Sequence, residues 1–224
     1  IGGRGIGKTY SALSFMMDQP DPFIYLRNTD VQMQESASVF GNPFKRLNKD
    51  LGRSVTLEAE KKHYLITEQP PEEDKKILGY GAALSTFANM RGVDLSDCKW
   101  CVFDEFIERR TLTFKQFDAF AGFYETVNRN REIQGEEPFK VIYGLEGYYT
   151  DYTPEMQEKY QSMAKDLGLM ISGGTDFHAK MKPHISIGTG LGNMKIPYSV
   201  LEKMKKAREK NEALYQTEGF FVEG

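Results

Sequence analysis

Apolar residues at Tyr10, Leu13, Phe15, Met16 and Met17 recur at helical spacing and predict a helix over Lys8–Met17, closed by Gln19-Pro20-Asp21-Pro22. Phe23–Leu26 is a short continuous apolar run, the pattern of a buried strand, with Arg27 at its C-terminal end. Helical periodicity returns over Val31–Phe40 and, after Gly41-Asn42-Pro43, over Phe44–Leu51. Ser54–Glu60 and His63–Glu68 alternate with a period of two on either side of Lys61-Lys62, which predicts a hairpin. A further strand is expected over Ile77–Leu84, then a loop with one helical turn, then a strand over Lys99–Phe103. The phenylalanines at 114, 117, 120 and 123, with Tyr124 and Val127, predict one long amphipathic helix over Thr113–Gln134, followed by a strand over Phe139–Tyr143.

From Gly144 the grammar changes. Leu145–Tyr149 reads as strand. Thr153-Pro154-Glu155 opens a helix with an N-cap, a proline at the first position and an acid in the first turn. That helix is expected to reach Leu167, followed by a strand over Leu169–Ser172, a polar turn at Gly173–His178 and a charged amphipathic helix over Tyr198–Tyr215. The expected architecture is therefore α/β. A parallel-stranded sheet with helices on both faces spans residues 1–143, and a βαβα segment spans 144–224. Both parts build parallel strands under helices, so one shared sheet is topologically open to them.

Composition places the 224-residue chain among globular proteins, since 40% of it is hydrophobic and 27% charged, enough apolar surface for a real core. No run approaches the length of a membrane span and no signal peptide opens the chain, so a cytoplasmic protein is expected. A net charge of −3 leaves nucleic-acid contact to local basic patches. Cys98-x-x-Cys101 has no second pair to complete a zinc site and reads as small apolar residues in and before a strand; reduced thiols fit the same compartment.

The most specific chemistry lies in Gly2-Gly3-Arg4-Gly5-Ile6-Gly7-Lys8-Thr9, which holds the G-x-x-x-x-G-K-T phosphate-binding P-loop (Walker A). Its glycines let successive N–H groups point at one anion, Lys8 reaches the terminal phosphates, and the Thr9 hydroxyl can ligate magnesium. Arg4 either contacts phosphate or faces solvent. Only Ile1 precedes the loop, where a hydrophobic strand is normal, so the first strand reads as missing or cut short. Far downstream, Trp100–Phe103 is an apolar run that delivers Asp104 and Glu105, the Walker B form. Asp104 would hold magnesium through its water shell and Glu105 would polarise an attacking water, work worth roughly 10²–10⁴-fold in rate. Arg129 and Arg131 end the long helix, where cations are favourable in any case; either could also serve a neighbour's terminal phosphate.

IGGRGIGKTY, FIYLR, WCVFDEFI and ETVNRNRE, in that order and spacing, resemble the DNA-packaging ATPase of small podophages with protein-primed genomes, the phi-29 type. The resemblance covers residues 1–143 and implies an ATP- and Mg²⁺-dependent motor. It also implies a homo-oligomeric ring on the portal of a prohead, double-stranded DNA as cargo, no membrane, and an arginine acting across the subunit interface at Arg129 or Arg131. Residues 144–216, with GGTDFH at their centre, are similar to the C-terminal end of PHP-domain metal-dependent phosphoesterases. That likeness implies Asp176 and His178 as remnant ligands of a divalent metal such as Zn²⁺ or Mn²⁺. A hydrolytic metal site wants about four to six ligands, and the early His-x-His motif of that family is absent. His63 and His184 are the remaining histidines. A second reading is therefore a PHP-like phosphoesterase, and a third is a hybrid with neither activity.

Overall fold

β1 (Phe23–Arg27) is buried along its whole length, which an apolar strand tolerates only when both of its faces are covered. The structure, a computed structural model, describes residues 8–60, 63–71, 74–90, 94–105, 114–129, 131–143, 146–166, 170–175, 177 and 182–217. One compact unit spans positions 7–144 and a second contains positions 145–224. In the larger one the helices are α1 (Lys8–Met17), α2 (Asp30–Ser36), α3 (Phe44–Leu51), α4 (Phe114–Val127) and α5 (Arg131–Gln134). The strands after β1 are β2 (Val55–Glu60), β3 (His63–Glu68), β4 (Lys76–Ala83), β5 (Trp100–Phe103) and β6 (Lys140–Tyr143).

These strands form one sheet in the order β2-β3-β4-β1-β5-β6. β4, β1, β5 and β6 run parallel; β2 and β3 are the expected hairpin and continue the sheet antiparallel beyond β4. Side-chain alternation along β1 and β5 sorts the core into two layers. Phe23, Tyr25 and Val102 pack with Leu13, Met16 and Met17 of α1 and with Phe44 and Leu47 of α3. Ile24, Leu26, Cys101 and Phe103 pack on the other side with Phe123 and Val127 of α4 and with Leu95 and Cys98. Helices thus cover both faces, as the periodicity predicts.

Local chemistry explains the element ends. α2 begins in a capping box, Thr29 accepting from the Gln32 backbone while the Gln32 side chain accepts from Thr29 N–H. Gly52 closes α3 in the left-handed region, φ 66°. Arg53 ties the end of α1 to the hairpin, donating to Met17 O at 3.1 Å, Asp18 at 2.9 Å and both carboxylate oxygens of Glu68 at 2.6 and 2.7 Å.

One long helix over Thr113–Gln134 is not what forms. α4 ends at Val127 and a short α5 starts at Arg131. The Asn128 side chain leaves the helical path to accept from Phe139 N–H at 2.8 Å, and Arg131 turns inward instead of continuing a solvent face.

In the smaller unit β7 (Glu146–Tyr149), α6 (Pro154–Asp166) and β8 (Ser172–Gly174) form a strand–helix–strand unit with parallel strands, followed by α7 (Tyr198–Thr217). Thr153 caps α6 as expected, accepting from Met156 N–H at 3.3 Å. Two expectations are corrected. β7 and β8 pair only with each other among the described residues, so no sheet is shared with the larger unit. The second strand also falls later than Leu169–Ser172 and takes in the two glycines read as a turn. Gly173 lies under Ile196, where a Cβ would stand 2.6 Å from the Ile196 Cδ1; the glycine serves close packing. Thr150 closes this unit's interior, donating to Thr175 O at 3.0 Å while Asn193 donates to Thr150 O at 2.9 Å.

Candidate functional site

Parallel strands leave their polar residues at the C-terminal rim, and β1 and β5 end side by side with Leu26 opposite Phe103. The next residues out are Arg27 and Asp104, and Asp104 N–H donates to Leu26 O at 3.1 Å. By alternation Tyr25, Arg27 and Asp104 belong to the face that α1 covers, the face where Thr9 lies at the helix start.

Thr9, Tyr25 and Arg27 all meet at Asp104. The Thr9 hydroxyl donates to Oδ1 at 2.7 Å. The Tyr25 phenol donates to Oδ2 at 2.9 Å and Arg27 Nη1 to the same oxygen at 2.5 Å. Thr9 and Asp104 are 95 positions apart in sequence, so the fold joins the last residue of the glycine motif to the first acid of the apolar strand.

Continued alternation would send Glu105 to the opposite, α4-covered face. Its backbone instead turns left-handed, φ 52°, a conformation that side chains other than glycine seldom adopt. Asn28 Nδ2 donates to Glu105 O at 2.6 Å, and Arg27 Nη2 donates to Glu105 Oε2 at 2.9 Å. One guanidinium therefore bridges the two acids. Burial works against the Arg27 charge, but Tyr25, Asp104 and Glu105 more than offset it and raise its pKa. Burial, then the Asp104 charge, raises the Tyr25 phenol well above its ordinary range, so it stays a hydrogen-bond donor. Arg27 Nε is buried and has no hydrogen-bond partner among the described residues.

Of the residues singled out in the sequence, Lys8, Thr9, Asp104 and Glu105 are described, Lys8 being exposed at the first turn of α1. Gly2, Gly3, Arg4, Gly5 and Gly7 lie outside the described residues, as do Asp176 and His178. Arg129 is exposed. Arg131 is 2% exposed and spends its donors inside the unit, on Ser96 O at 2.7 Å, Cys98 O at 2.6 Å, Val127 O at 3.3 Å and the Glu136 carboxylate at 3.2 Å. Tyr25, Arg27 and Asn28 carry no role in the sequence reading. The available signal was an arginine closing an otherwise apolar strand.

Cys98 and Cys101 are buried free thiols. Burial pushes Cys98 up to about 12 and Cys101 well above its ordinary range, so both keep their protons at neutral pH. Among the described residues no three His, Cys, Asp or Glu side chains gather closely enough to hold a metal ion. His63 lies on β3 of the larger unit and His184 in the smaller, both exposed. A hydroxyl and a carboxylate 2.7 Å apart are nevertheless hard oxygen donors suited to magnesium, which takes one or two protein oxygens and fills the rest with water and phosphate. No helix among the described residues is long and apolar enough to cross a membrane.

No family model matches the chain, and no curated protein does. Among solved structures it is similar to the N-terminal domain of the DNA packaging ATPase from bacteriophage phi29, with 23% identity, TM-score 0.45, and coverage of 63% of this chain and 68% of that one. It is also similar to chains of the phi29 genome packaging motor assembly (20% identity, TM-score 0.46, 76% of this chain and 46% of that) and of the Phi-28 DNA packaging motor (21% identity, TM-score 0.44, 77% and 50%). The chain thus spans about half the length of those two motor proteins. At TM-scores below 0.5 these likenesses decide nothing about the site. None of them is a PHP-domain phosphoesterase, and that second reading has no support.

Proposed function

We propose that the larger unit is a P-loop ATPase of the viral DNA-packaging type. The observation that carries this reading is the 2.7 Å hydrogen bond between Thr9 and Asp104. A P-loop threonine and a strand-end aspartate must share one magnesium site, and here two independent motifs meet where that chemistry needs them. Lys8, at the start of the same helix, reaches the terminal phosphates of bound ATP. Thr9 and Asp104 hold the magnesium, which neutralises phosphate charge when bound. Glu105 orients the attacking water from a rim position that Arg27 and Asn28 fix.

What each of the two arginines already does favours one of them for the interface role. Arg131 would have to abandon the carbonyls of Ser96 and Cys98 to leave the interior, whereas Arg129 is exposed. The interface role therefore falls to Arg129, in a ring whose cargo is double-stranded DNA. Ring, portal and DNA rest on the sequence resemblance.

Calorimetric titration with ATP and Mg²⁺ tests the reading. Wild type should bind, and Lys8→Ala should weaken binding by about 100-fold, the loss of a charge-assisted contact to phosphate. Equal affinity of the two proteins would refute it.

A further inference from the structure

Asp104 accepts three side-chain donors, and they divide between its oxygens. Thr9 holds Oδ1; Tyr25 and Arg27 hold Oδ2. We propose that Tyr25 is a positioning residue for magnesium: its phenol, with Arg27, pins Oδ2 to the sheet so that Oδ1 is the oxygen presented on the Thr9 side for the metal. The inference rests on the P-loop reading of the site and adds to it a residue from the middle of β1.

Packing alone does not call for a hydroxyl at position 25. The ring lies 1% exposed in the same core layer as Phe23, where a phenylalanine would fill the space equally. The hydroxyl sits in a chain of hydrogen bonds, accepting from Arg27 Nη1 at 3.4 Å and donating to Asp104 at 2.9 Å. β1 lies inside the sheet, paired on both sides and covered on both faces, so this donor comes from a strand held from every side. A carboxylate at a strand end has a free χ rotation, and two donors on one oxygen remove it. Arg27 cannot do this alone, because its other Nη is committed to Glu105. A neutral donor also leaves the carboxylate charge intact for the metal, where a second cation would compete with it.

The test compares Tyr25→Phe with wild type in titrations with the non-hydrolysable analogue AMPPNP, at a series of Mg²⁺ concentrations and in EDTA. Loss of one hydrogen bond to a charged group should raise the Mg²⁺ concentration giving half-maximal binding by about 3- to 10-fold. Binding in EDTA should stay within about twofold, because no magnesium is then involved. An unchanged Mg²⁺ requirement overturns the inference, as does an equal loss with and without the metal, which is what a merely structural role would give. Introduction of 4-aminophenylalanine at position 25, which keeps a donor at the ring's far end, should preserve the wild-type Mg²⁺ requirement. Failure to do so overturns the inference even where Tyr25→Phe is not recovered folded. Should wild type bind no nucleotide in any condition, the P-loop reading falls and takes this inference with it; wild-type binding with an indifferent Tyr25→Phe sinks the inference alone.

Discussion

Arg27 and Arg131 are both largely buried arginines in the same unit, at 9% and 2% exposure, yet they sit in opposite kinds of environment. Arg131 is held mostly by backbone: the carbonyls of Val127, Ser96 and Cys98 take Nε and Nη2, Phe139 lies under the guanidinium at 5.9 Å, and only Nη1 meets a carboxylate, that of Glu136. Backbone carbonyls in a packed turn have nowhere else to go, so the arginine completes their hydrogen bonding and locks the joint between α4 and α5. Arg27 faces two carboxylates at the open rim of the sheet, one of them on a left-handed backbone, and its Nε is left without a partner. Side-chain acids at a strand end can exchange partners. Burial and charge are therefore poor guides to function on their own; the partner's freedom to do something else is the better one.

The largest effect that would test this contrast is on stability. Arg131→Met keeps much of the volume but removes the donors from the carbonyls of Val127, Ser96 and Cys98, and should cost about 3 kcal/mol. Arg129→Met, on the exposed neighbour, should stay within about 0.5 kcal/mol. Urea unfolding followed by fluorescence of Trp100, the chain's single tryptophan, reads the larger unit directly, because that residue opens β5. Similar midpoints for the two variants would mean that Arg131 is not the lock described here.

Arg27→Met should cost less, about 1–2 kcal/mol. Asp104 would retain Thr9 and Tyr25, and the Glu105 side chain, 38% exposed, retains solvent. Its larger consequence should be functional: Mg²⁺-dependent AMPPNP affinity should change several-fold, while folded Arg131→Met binds as wild type. The reverse pattern, with Arg131→Met blind to nucleotide and Arg27→Met indifferent, would invert the comparison.

What the sequence made legible follows the same division. Elements whose signal is local were readable: α1 and α3 from helical spacing, the β2–β3 hairpin from alternation across Lys61-Lys62, the cap at Thr153. The meeting of Thr9 with Asp104 was readable because the sequence reading pairs the two motifs in which they lie. Tyr25 and Arg27 were not, because their meaning depends on the register that sets Leu26 opposite Phe103, and no local pattern encodes which strands become neighbours. The break after α4 was hidden for a related reason. Helical periodicity continues through Asn128 to Gln134, and only the capture of Phe139 N–H by Asn128, a contact between separate elements, ends the helix. The glycines of β8 failed in the other direction: Gly173 reads as a turn until Ile196 is seen to lie over it.

The smallest effect concerns a group held beside Arg131. Cys98 lends its carbonyl to that arginine, and its thiol is pushed up to about 12, first by burial and then by Asp97, with Arg131 opposing the shift. A thiol raised in the folded state keeps its proton where the unfolded chain has lost it, so the unfolded state binds fewer protons above the ordinary thiol value of 9.0. Stability from this group is thus full below pH 9 and declines as pH rises toward 12, by about 1.4 kcal/mol one unit above the ordinary value. The Trp100 transition of wild type and Cys98→Ala, compared at pH 8 and pH 10, isolates the contribution from every other group that titrates in that range. Wild type should lose more stability than the variant. The loss over this range is set by the unfolded thiol as long as the folded one titrates well above pH 10, so an Arg131→Met background, which removes a charge opposing the shift, should show the same loss. A smaller loss there would mean that the thiol ionises in the folded variant, so that the guanidinium keeps Cys98 buried through the carbonyl it holds, an effect larger than its charge has on the thiol.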